Sequence, residues 1–512
     1  MTFLTIPIPR GILLFVIRNL KCLIILSVIS TLLLISGALS AKEAKDVGQI
    51  NQYLRINGEL MGSYERWHFF RPEPAINNNH TYDLSVLRAR LGAQLTTPYV
   101  DGYIQGQYIG LFGLPDNSVA VPGGPLGLGG GYFLANQSTN SANIFLKQGY
   151  LDFKFNSLGI PGLSLKAGRF EFMDGMEYRT GITKLDTLKK RRISQRLIGG
   201  FNVIYIGRSF DGFSAVYDRP ELNLTISGMR PTQGGFTVQG QKQISDINLL
   251  YTALTSKQNT WLPGTESRLF YIHYNDKRDT QIIDNRPPDA RPRLNNQNLA
   301  IHTLGAHFLS LHPLKSGSID SLLWGAYQFG DWTDQKHQAW AISAELGYQW
   351  TQIRFKPWLR AIYYQSSGDN NAQDNKHQTF LTLLPSGRLY SKFPFYNQMN
   401  IRDSFIEMIV SPTPKTQINI NFHHLSLTNS NDLAYRGLGA TTNSGAFGYS
   451  GKSSGGSKNV GQLIDISFTH AVSKHFSWRL YYGHAFAGSV IKNNFQGNKH
   501  AHSFWADFNL VF

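Results

Sequence analysis

The chain has 512 residues and a formal net charge of +16, with 49 Gly, 13% aromatic and only 16% charged residues. Its mean hydropathy of −0.23 excludes a helical membrane bundle, because such a bundle needs several apolar runs of about 20 residues. An apolar content of 42% is too high for a disordered chain. A large all-β protein remains, either soluble or embedded in a membrane as a barrel.

The N-terminus has the features of a secretory signal peptide. Basic residues up to Lys21 precede an apolar stretch, and small residues follow up to Ala41, which predicts cleavage after Ser40 or Ala41. An uncleaved anchor helix is the alternative. Removal of residues 1–40 takes away three positive charges, no acidic residue and the single cysteine. The mature chain would then carry a charge of +13 (16 − 3) and could form no disulfide.

From Leu54 onward, apolar and polar residues alternate in runs of about ten residues, which predicts β-strands. A soluble sandwich would alternate too, but three features favour a transmembrane antiparallel β-barrel. The opposite faces carry isolated charged residues, and short connections alternate with long ones. Aromatic residues also end many runs, and we assign these to the membrane interfaces; they include Tyr64, Trp67, Phe69, Phe70, Trp340 and Trp350.

We expect residues 41–512 to form a barrel of about 18 strands (16–18). An even number places both termini in the periplasm, so one of the nineteen candidate ranges, 201–206, is taken as a loop excursion. The candidate ranges are 53–66, 84–96, 100–111, 144–155, 163–170, 201–206, 210–218, 222–229, 246–254, 268–275, 299–310, 319–330, 338–350, 352–365, 401–411, 416–427, 460–470, 477–487 and 502–512.

The last strand supplies the most specific single signal. Apolar residues occupy every second position from Phe504 to the terminal Phe512. This pattern resembles the C-terminal signal of bacterial outer-membrane barrels, so it predicts an outer-membrane location and recognition of Phe512 by the barrel-assembly machinery.

Alternation also predicts which charged side chains face the lumen. Fixed guanidinium groups along a wet pore would bind carboxylates without titrating, so the basic set predicts an anion path. In the alternative interpretation, each arginine only pairs with a lumen acid. The predicted lumen bases are Arg55, Arg88, Arg90, Arg354, Lys356, Arg360 and Arg479, and the predicted lumen acids are Asp152, Glu345 and Asp465.

Arg169 falls in a lipid-facing series. A charge at mid-bilayer costs about 2–4 kcal/mol, so we expect Arg169 at a bulge or at the rim.

Basic residues 189–192 form a run that we place in a loop. It is interpreted as a solvated charge run, with binding of lipopolysaccharide phosphates, recruitment of a polyanion or capping of the mouth as alternatives. The longest connection, 112–142, is the candidate plug. Nucleic-acid binding is not expected, because the basic residues are scattered.

No enzymatic chemistry, cofactor or metal centre is predicted. Gly451–Gly455 matches the letters of a nucleophile elbow but lies in a Gly/Ser-rich loop rather than a strand–turn–helix. Asp369–Asp374 offers hard oxygens for calcium but lacks the glycine and final glutamate of a calcium-binding hand. His423 and His424 point to opposite faces of one strand, so they cannot share a metal.

The order of several short motifs resembles the alginate export family of outer-membrane proteins. The resemblance implies an eighteen-stranded barrel whose Arg- and Lys-lined constriction conducts an acidic polysaccharide, and it marks Arg169, Arg208, Asp211 and Asp369 as motif positions. Leu463 departs from the family pattern, which has an acid there. The motifs are Leu87–Gly92, Gly168-Arg169, Arg196–Gly199, Arg208–Gly212, Ser367–Asp369, Thr379-Phe380, Gly461 and Asp465.

We therefore expect an outer-membrane channel that exports an acidic, uronate-type polysaccharide with the help of periplasmic partners, surrounded by lipid and lipopolysaccharide. An uptake porin for small anionic or sugar nutrients is the second hypothesis. A barrel adhesin or barrel enzyme is the third.

Overall fold

The structure is a computed structural model, and eighteen of its strands form a closed antiparallel barrel. Its sheet has nineteen strands. One of them, the two-residue Lys376–His377, is not part of the barrel wall and pairs in parallel with the start of one wall strand. Each remaining strand pairs with its neighbours in chain order, and the last pairs with the first. The described residues are 48–72, 79–120, 124–201, 205–295, 297–386, 390–495 and 497–512.

The wall strands are β1 (Leu54–His68), β2 (Thr81–Thr96), β3 (Val100–Phe112), β4 (Asn140–Lys154), β5 (Leu163–Phe170), β6 (Phe210–Asp218), β7 (Leu222–Pro231), β8 (Ile247–Ser256), β9 (Thr265–Asp276), β10 (Leu299–Leu314), β11 (Gly317–Trp332), β12 (Gln335–Trp350), β13 (Trp358–Ser366), β14 (Ile401–Thr413), β15 (Thr416–Leu427), β16 (Asn459–Ala471), β17 (Phe476–Ala487) and β18 (His500–Val511).

The connections contain short helices and hairpins. The helices are α1 (Leu128–Asn136), α2 (Thr183–Leu188) and α3 (Ser489–Asn494), with 3₁₀ turns at Asn156–Leu158 and Pro288–Ala290 and a π turn at Lys189–Ile193. Two small hairpins pair Val119–Ala120 with Gly124–Pro125 and Leu433–Gly437 with Tyr449–Ser453. Within the described ranges, no helix has the length and apolar character needed to cross a membrane.

Closure satisfies the backbone groups that an open sheet edge would expose to lipid. The amide of Phe512 donates to the carbonyl of Gly58 at 3.1 Å, and the amide of Gly58 donates to the carbonyl of Phe512 at the same distance. An unpaired backbone group in hydrocarbon costs several kcal/mol. The β1–β18 seam is therefore as necessary to the fold as any internal strand pair.

The predicted strands agree with the wall strands. The predicted range that corresponds to no wall strand is 201–206, which was taken as a loop excursion. Phe201 and Ile206 are fully buried outside the wall strands, while residues 202–204 and the predicted signal peptide lie outside the described residues. One boundary differs by more than four residues. β13 begins at Trp358 rather than at 352, because residues 351–357 form a turn in which Phe355 and Lys356 have positive φ angles.

This shift corrects two predicted lumen residues. Arg354 and Lys356 are exposed in the β12–β13 turn, and the Arg354 guanidinium lies 4.6 Å from the centre of the Phe355 ring. Apolar and basic residues continue to alternate through the turn, which is why the pattern alone extended the strand too far.

Short and long connections lie at opposite ends of the barrel. The first and last strands start and finish at the end with the short turns, called here the turn end, and the other is called the loop end. Short turns and both termini are periplasmic in single-chain bacterial barrels. The two-residue β11–β12 connection, 333–334, is the exception at the loop end.

Side chains of the connections pack inside the loop-end half of the barrel. Trp67 and Phe70 are fully buried and lie 5.8 Å, ring centre to ring centre, from Phe393 and Phe395 respectively. Trp67, Phe69 and Phe70 therefore belong to this interior apolar cluster, which corrects their assignment to the membrane interface. Trp340 does face outward, with 38% of its surface exposed.

The buried carboxyl group of Asp432 joins two of the long connections, 367–400 and 428–458, and the carboxyl group of Asp369 is buried near it. The amide of Asp369 donates to Asp432 Oδ2 at 2.9 Å, and Thr379 Oγ1 donates to the same oxygen at 2.6 Å. Burial raises the pKa of Asp369 to about 7 and that of Asp432 to about 6. Both carboxyl groups thus hold protons at a pH where exposed aspartates are ionised.

We predict that this loop contact weakens as the pH rises. An unfolded aspartate titrates near 3.9, so the contact contributes fully below about pH 4 and is lost as the pH passes through 6 to 7. Hydrogen exchange of residues 367–372 and 430–436 is expected to be faster at pH 8 than at pH 5 after correction for intrinsic rates. Asp369→Asn is expected to reduce this pH dependence, whereas Asp289→Asn, in the exposed 3₁₀ turn Pro288–Ala290 of another connection, is expected to leave it unchanged. A pH-independent contact in the unmodified protein would contradict the prediction.

Candidate functional site

The connection between β5 and β6, residues 171–209, folds into the barrel and is called here the inner loop. Its helix α2 continues into the π turn Lys189–Ile193. Leu185, Leu188 and Ile193 are fully buried, so one face of this helical segment is an apolar anchor. The basic run 189–192 lies at the C-terminal end of this segment, where a positive charge is favourable.

The basic residues of the inner loop dock on carboxylates of the wall. Lys189 Nζ lies 3.0 Å from Glu266 on β9, and Lys184 Nζ lies 3.2 Å from Asp320 on β11. Glu407 on β14 receives both Arg191, at 2.6 Å, and Arg192. The basic run predicted to be solvated is therefore inside the lumen, where buried acids neutralise most of it.

Arg360 completes this charge network from the wall itself. Its guanidinium contacts Asp320 at 3.0 Å, Glu345 at 2.9 Å and Glu407 at 3.5 Å. The Arg360 side chain is 1% exposed. The side chains of Arg360 and Glu345, two of the predicted lumen residues, are thus both held in buried ion pairs.

Arg88 and Arg90 hold the two ends of the inner loop. Arg88 contacts Glu59 at 2.5 Å and donates to the carbonyl of Tyr205 at 3.2 Å. Arg90 lies 3.4 Å from Glu171, the first residue of the loop, and Lys147 lies at the same distance from Glu171. Burial would raise the pKa of Glu171, but Lys147 and Arg90 hold it below its ordinary value.

A polar cavity of about 510 Å³ separates the inner loop from the wall strands β14–β17. Amide and hydroxyl side chains, including Asn419, Asn421 and Ser467, cover much of the wall side. The charged lining residues are five bases and two acids: Lys190, Arg191, Arg192, Lys392, Arg479, Glu407 and Asp465.

The cavity bases differ in how far they are neutralised. Lys190 is exposed, and among the described residues no ion pair of Lys190 is recorded. Arg479 contacts Asp507 at 2.9 Å but keeps 40% of its side chain exposed. Lys392 lies 3.8 Å from Asp507, and Asp465 accepts a hydrogen bond from Asn421 at 2.7 Å.

The other predicted residues are scattered. Arg55 is exposed on the inner face near the turn end, and Asp152 lies 3.8 Å from Lys166.

The family-motif residues lie away from the cavity. Arg169 pairs with Asp211 at 2.6 Å on the outer face, one residue from the loop end of β5. Its position at the rim explains how the lipid-facing series tolerates a charge. Arg208 is fully buried and donates to the carbonyls of Leu384 and Ala440. Asp369 lies in the loop contact described above.

Four of the five cavity bases were not predicted as lumen residues. Lys392 lies in a connection with no strand pattern, and Lys190, Arg191 and Arg192 were assigned to a solvated run. The spacing of Leu185, Leu188 and Ile193 beside four consecutive bases was the available signal, because it is typical of a helix with one buried face.

Neither a metal centre nor a catalytic constellation is found at the positions considered. Within the described ranges, no three His, Cys, Asp or Glu side chains are placed to hold a metal ion. Gly451 to Ser453 belong to the strand Tyr449–Ser453 of a small hairpin, so the nucleophile-elbow context is absent there. His423 is buried and bonds Asp403 at 2.9 Å, whereas His424 faces outward.

Solved structures with the same architecture are outer-membrane proteins of Pseudomonas aeruginosa. OpdK is 10% identical with a TM-score of 0.54, covering 89% of this chain and 98% of its own. A second OpdK structure, with vanillate, is 9% identical with a TM-score of 0.53 and the same coverage. OccK2 (OpdF) in complex with glucuronate is 9% identical with a TM-score of 0.52, covering 90% of this chain and 98% of its own. At this identity the likeness shows the fold alone.

The sequence itself matches one family over most of its length. No curated protein matches the chain at a significant level. The alginate export family matches residues 134–506, which is 373 of the 512 residues. The chain therefore belongs to the alginate export family and is an outer-membrane β-barrel channel.

Proposed function

We propose that this channel favours anions and that the polar cavity beside the inner loop is its selective region. The observation that carries the proposal is the lining, in which five bases are set against two lining acids and Asp507, the partner of Arg479 and Lys392. Glu407 is already shared among three arginines, so an incoming carboxylate would meet a surplus of positive charge. An enzymatic role is not proposed, because the family is a transport family.

The arrangement suits transport better than tight binding. Conduction needs sites that attract the solute but release it again, spread over several weak contacts. Arg191 and Arg479 retain 26% and 40% exposed side chains although each has an acidic partner. Such half-neutralised guanidinium groups can contact a carboxylate without holding it.

The family supports a uronate-type polysaccharide as the exported solute. A uronate polymer carries one carboxylate per sugar, and the cavity bases lie on two connections and a wall strand, so successive carboxylates could be contacted in turn. Export would also require periplasmic partners.

Uptake of small anionic nutrients is the second candidate, and the cavity size favours it. A volume of about 510 Å³ lies in the range of small-molecule sites. The apolar cluster of the connections fills the loop-end half, and a polymer would require these connections to move. OccK2 has been crystallised with glucuronate and OpdK with vanillate, which are small carboxylates.

We predict that the channel selects anions over cations. In planar bilayers with a salt gradient, the reversal potential of the unmodified protein is expected to show anion preference. Lys190→Gln together with Lys392→Gln is expected to reduce this preference at least twofold, because the surplus of lining charge falls. Lys336→Gln removes a charge on the outer face and serves as the matched control, with no expected change. Cation preference in the unmodified protein would contradict the proposal.

A monomer and an oligomer of uronate distinguish uptake of small anions from export of a polymer. Glucuronate and an oligomer of about eight uronates, matched in carboxylate concentration, are added to one side of the bilayer. Export of a polymer predicts longer current blocks with the oligomer, and a channel for small anions predicts block by glucuronate alone. Absence of block by either would contradict a uronate-type solute.

We predict that the buried charge network loses stability when Arg360 is replaced. Arg360→Met leaves three buried acids short of one cation, and breaking a buried ion pair costs about 3–5 kcal/mol. The free energy of unfolding in urea, measured by tryptophan fluorescence in lipid vesicles, is expected to fall by about that amount. Arg354→Met, in the exposed turn, is expected to change it by less than about 0.5 kcal/mol. Equal effects of the two substitutions would contradict the placement of Arg360.

A further inference from the structure

Histidines form a patch on the outer face at the barrel seam. His68 on β1 is the direct cross-strand partner of His502 on β18, and His502 is the partner of His484 on β17. His500 lies two residues before His502 and therefore on the same face. All four lie near the loop end, on the side opposite to the buried Trp67 and Trp505.

The rings of this patch contact one another directly. His68 and His502 are stacked with their centres 4.9 Å apart, and His484 and His502 are stacked at 6.0 Å. The Nε2 atom of His484 lies 3.3 Å from the Nδ1 atom of His500. Neither the barrel wall nor the anion path explains a series of contacts that links four imidazoles.

We propose that His484 and His500, with His502, bind a divalent transition-metal ion of the zinc class. Neutral imidazole is a preferred ligand of Zn²⁺, Ni²⁺ and Cu²⁺. Two nitrogens bound tetrahedrally to zinc at 2.0–2.1 Å are about 3.3 Å apart, which is the separation of the two nitrogens here. The spacing of the two nitrogens therefore matches that of two ligands sharing one ion.

The third ligand requires a side-chain rotation. The described residues contain no ready group of three ligands, so the pair alone is an incomplete site. His502 is half-buried on the open outer face, where its ring can turn toward the pair from 6.0 Å. Water would occupy a remaining position.

The ion would join the last two strands next to the seam. His484 lies on β17, whereas His500 and His502 lie on β18, which pairs with β1 to close the barrel. A ligand that binds the folded state alone stabilises it in proportion to the logarithm of its concentration above Kd. Metal binding would therefore resist separation of the seam at the loop end.

The test uses the untagged, full-length barrel in detergent, freed of metal with a chelator. Titration with Zn²⁺ by calorimetry is expected to show one ion per chain, and Co²⁺ is expected to give the visible absorption of a tetrahedral nitrogen site. The double variant His484→Asn and His500→Asn is expected to weaken Zn²⁺ binding at least tenfold. His424→Asn, on the same outer face, is the matched control and is expected to bind as the unmodified protein does. Heat-modifiable gel mobility verifies that each variant is folded.

Three results would overturn the proposal. One is the absence of stoichiometric Zn²⁺ binding to the unmodified protein. Another is unchanged Zn²⁺ affinity in the folded double variant. The third is loss of binding in His273→Asn instead, because His273 and His302 form a second outer-face pair with ring centres 4.5 Å apart. If the double variant fails to fold, His502→Asn alone decides by the same measurements, with a loss of the Co²⁺ absorption expected.

Discussion

A carboxylate taken out of water must meet a positive charge, and this constraint organises the interior of the barrel. Glu266, Asp320, Glu345 and Glu407 project from the wall with almost no exposure. An unpaired buried charge is far more costly than a paired one, so each acid recruits a base. Arg360 alone cannot satisfy all of them. The inner loop supplies the remaining bases and is held against this side of the barrel as a result.

The same network separates committed charges from available ones. Lys184 and Lys189 form ion pairs that hold the inner loop, and Arg88 and Arg90 form ion pairs that hold its ends. What remains in the cavity is the surplus on which the proposed anion preference depends. A count of basic residues on the inner face would therefore overstate the charge that a solute meets.

The wall could be predicted from the sequence, whereas the interior could not. A lipid-facing strand must show an apolar residue at every second position, so the physical cause of the pattern is local. The error at Arg354 and Lys356 arose where a turn carries the same alternation by chance. The partners inside the barrel are remote in the chain: Lys189 and Glu266 are 77 residues apart. No local pattern reports such a pair.

The basic residues of the inner loop pair with wall acids on β9 to β14, whereas the neighbouring strands β15 to β17 face the inner loop across the cavity. Uncharged side chains on these strands, such as Gln417, Ser467 and Thr469, have no part in the buried ion pairs. Relatives could exchange these side chains and alter what passes without risking collapse. The uneven interior thus divides the molecule into a side that carries the buried ion pairs and a side whose polar lining can change at little cost to stability.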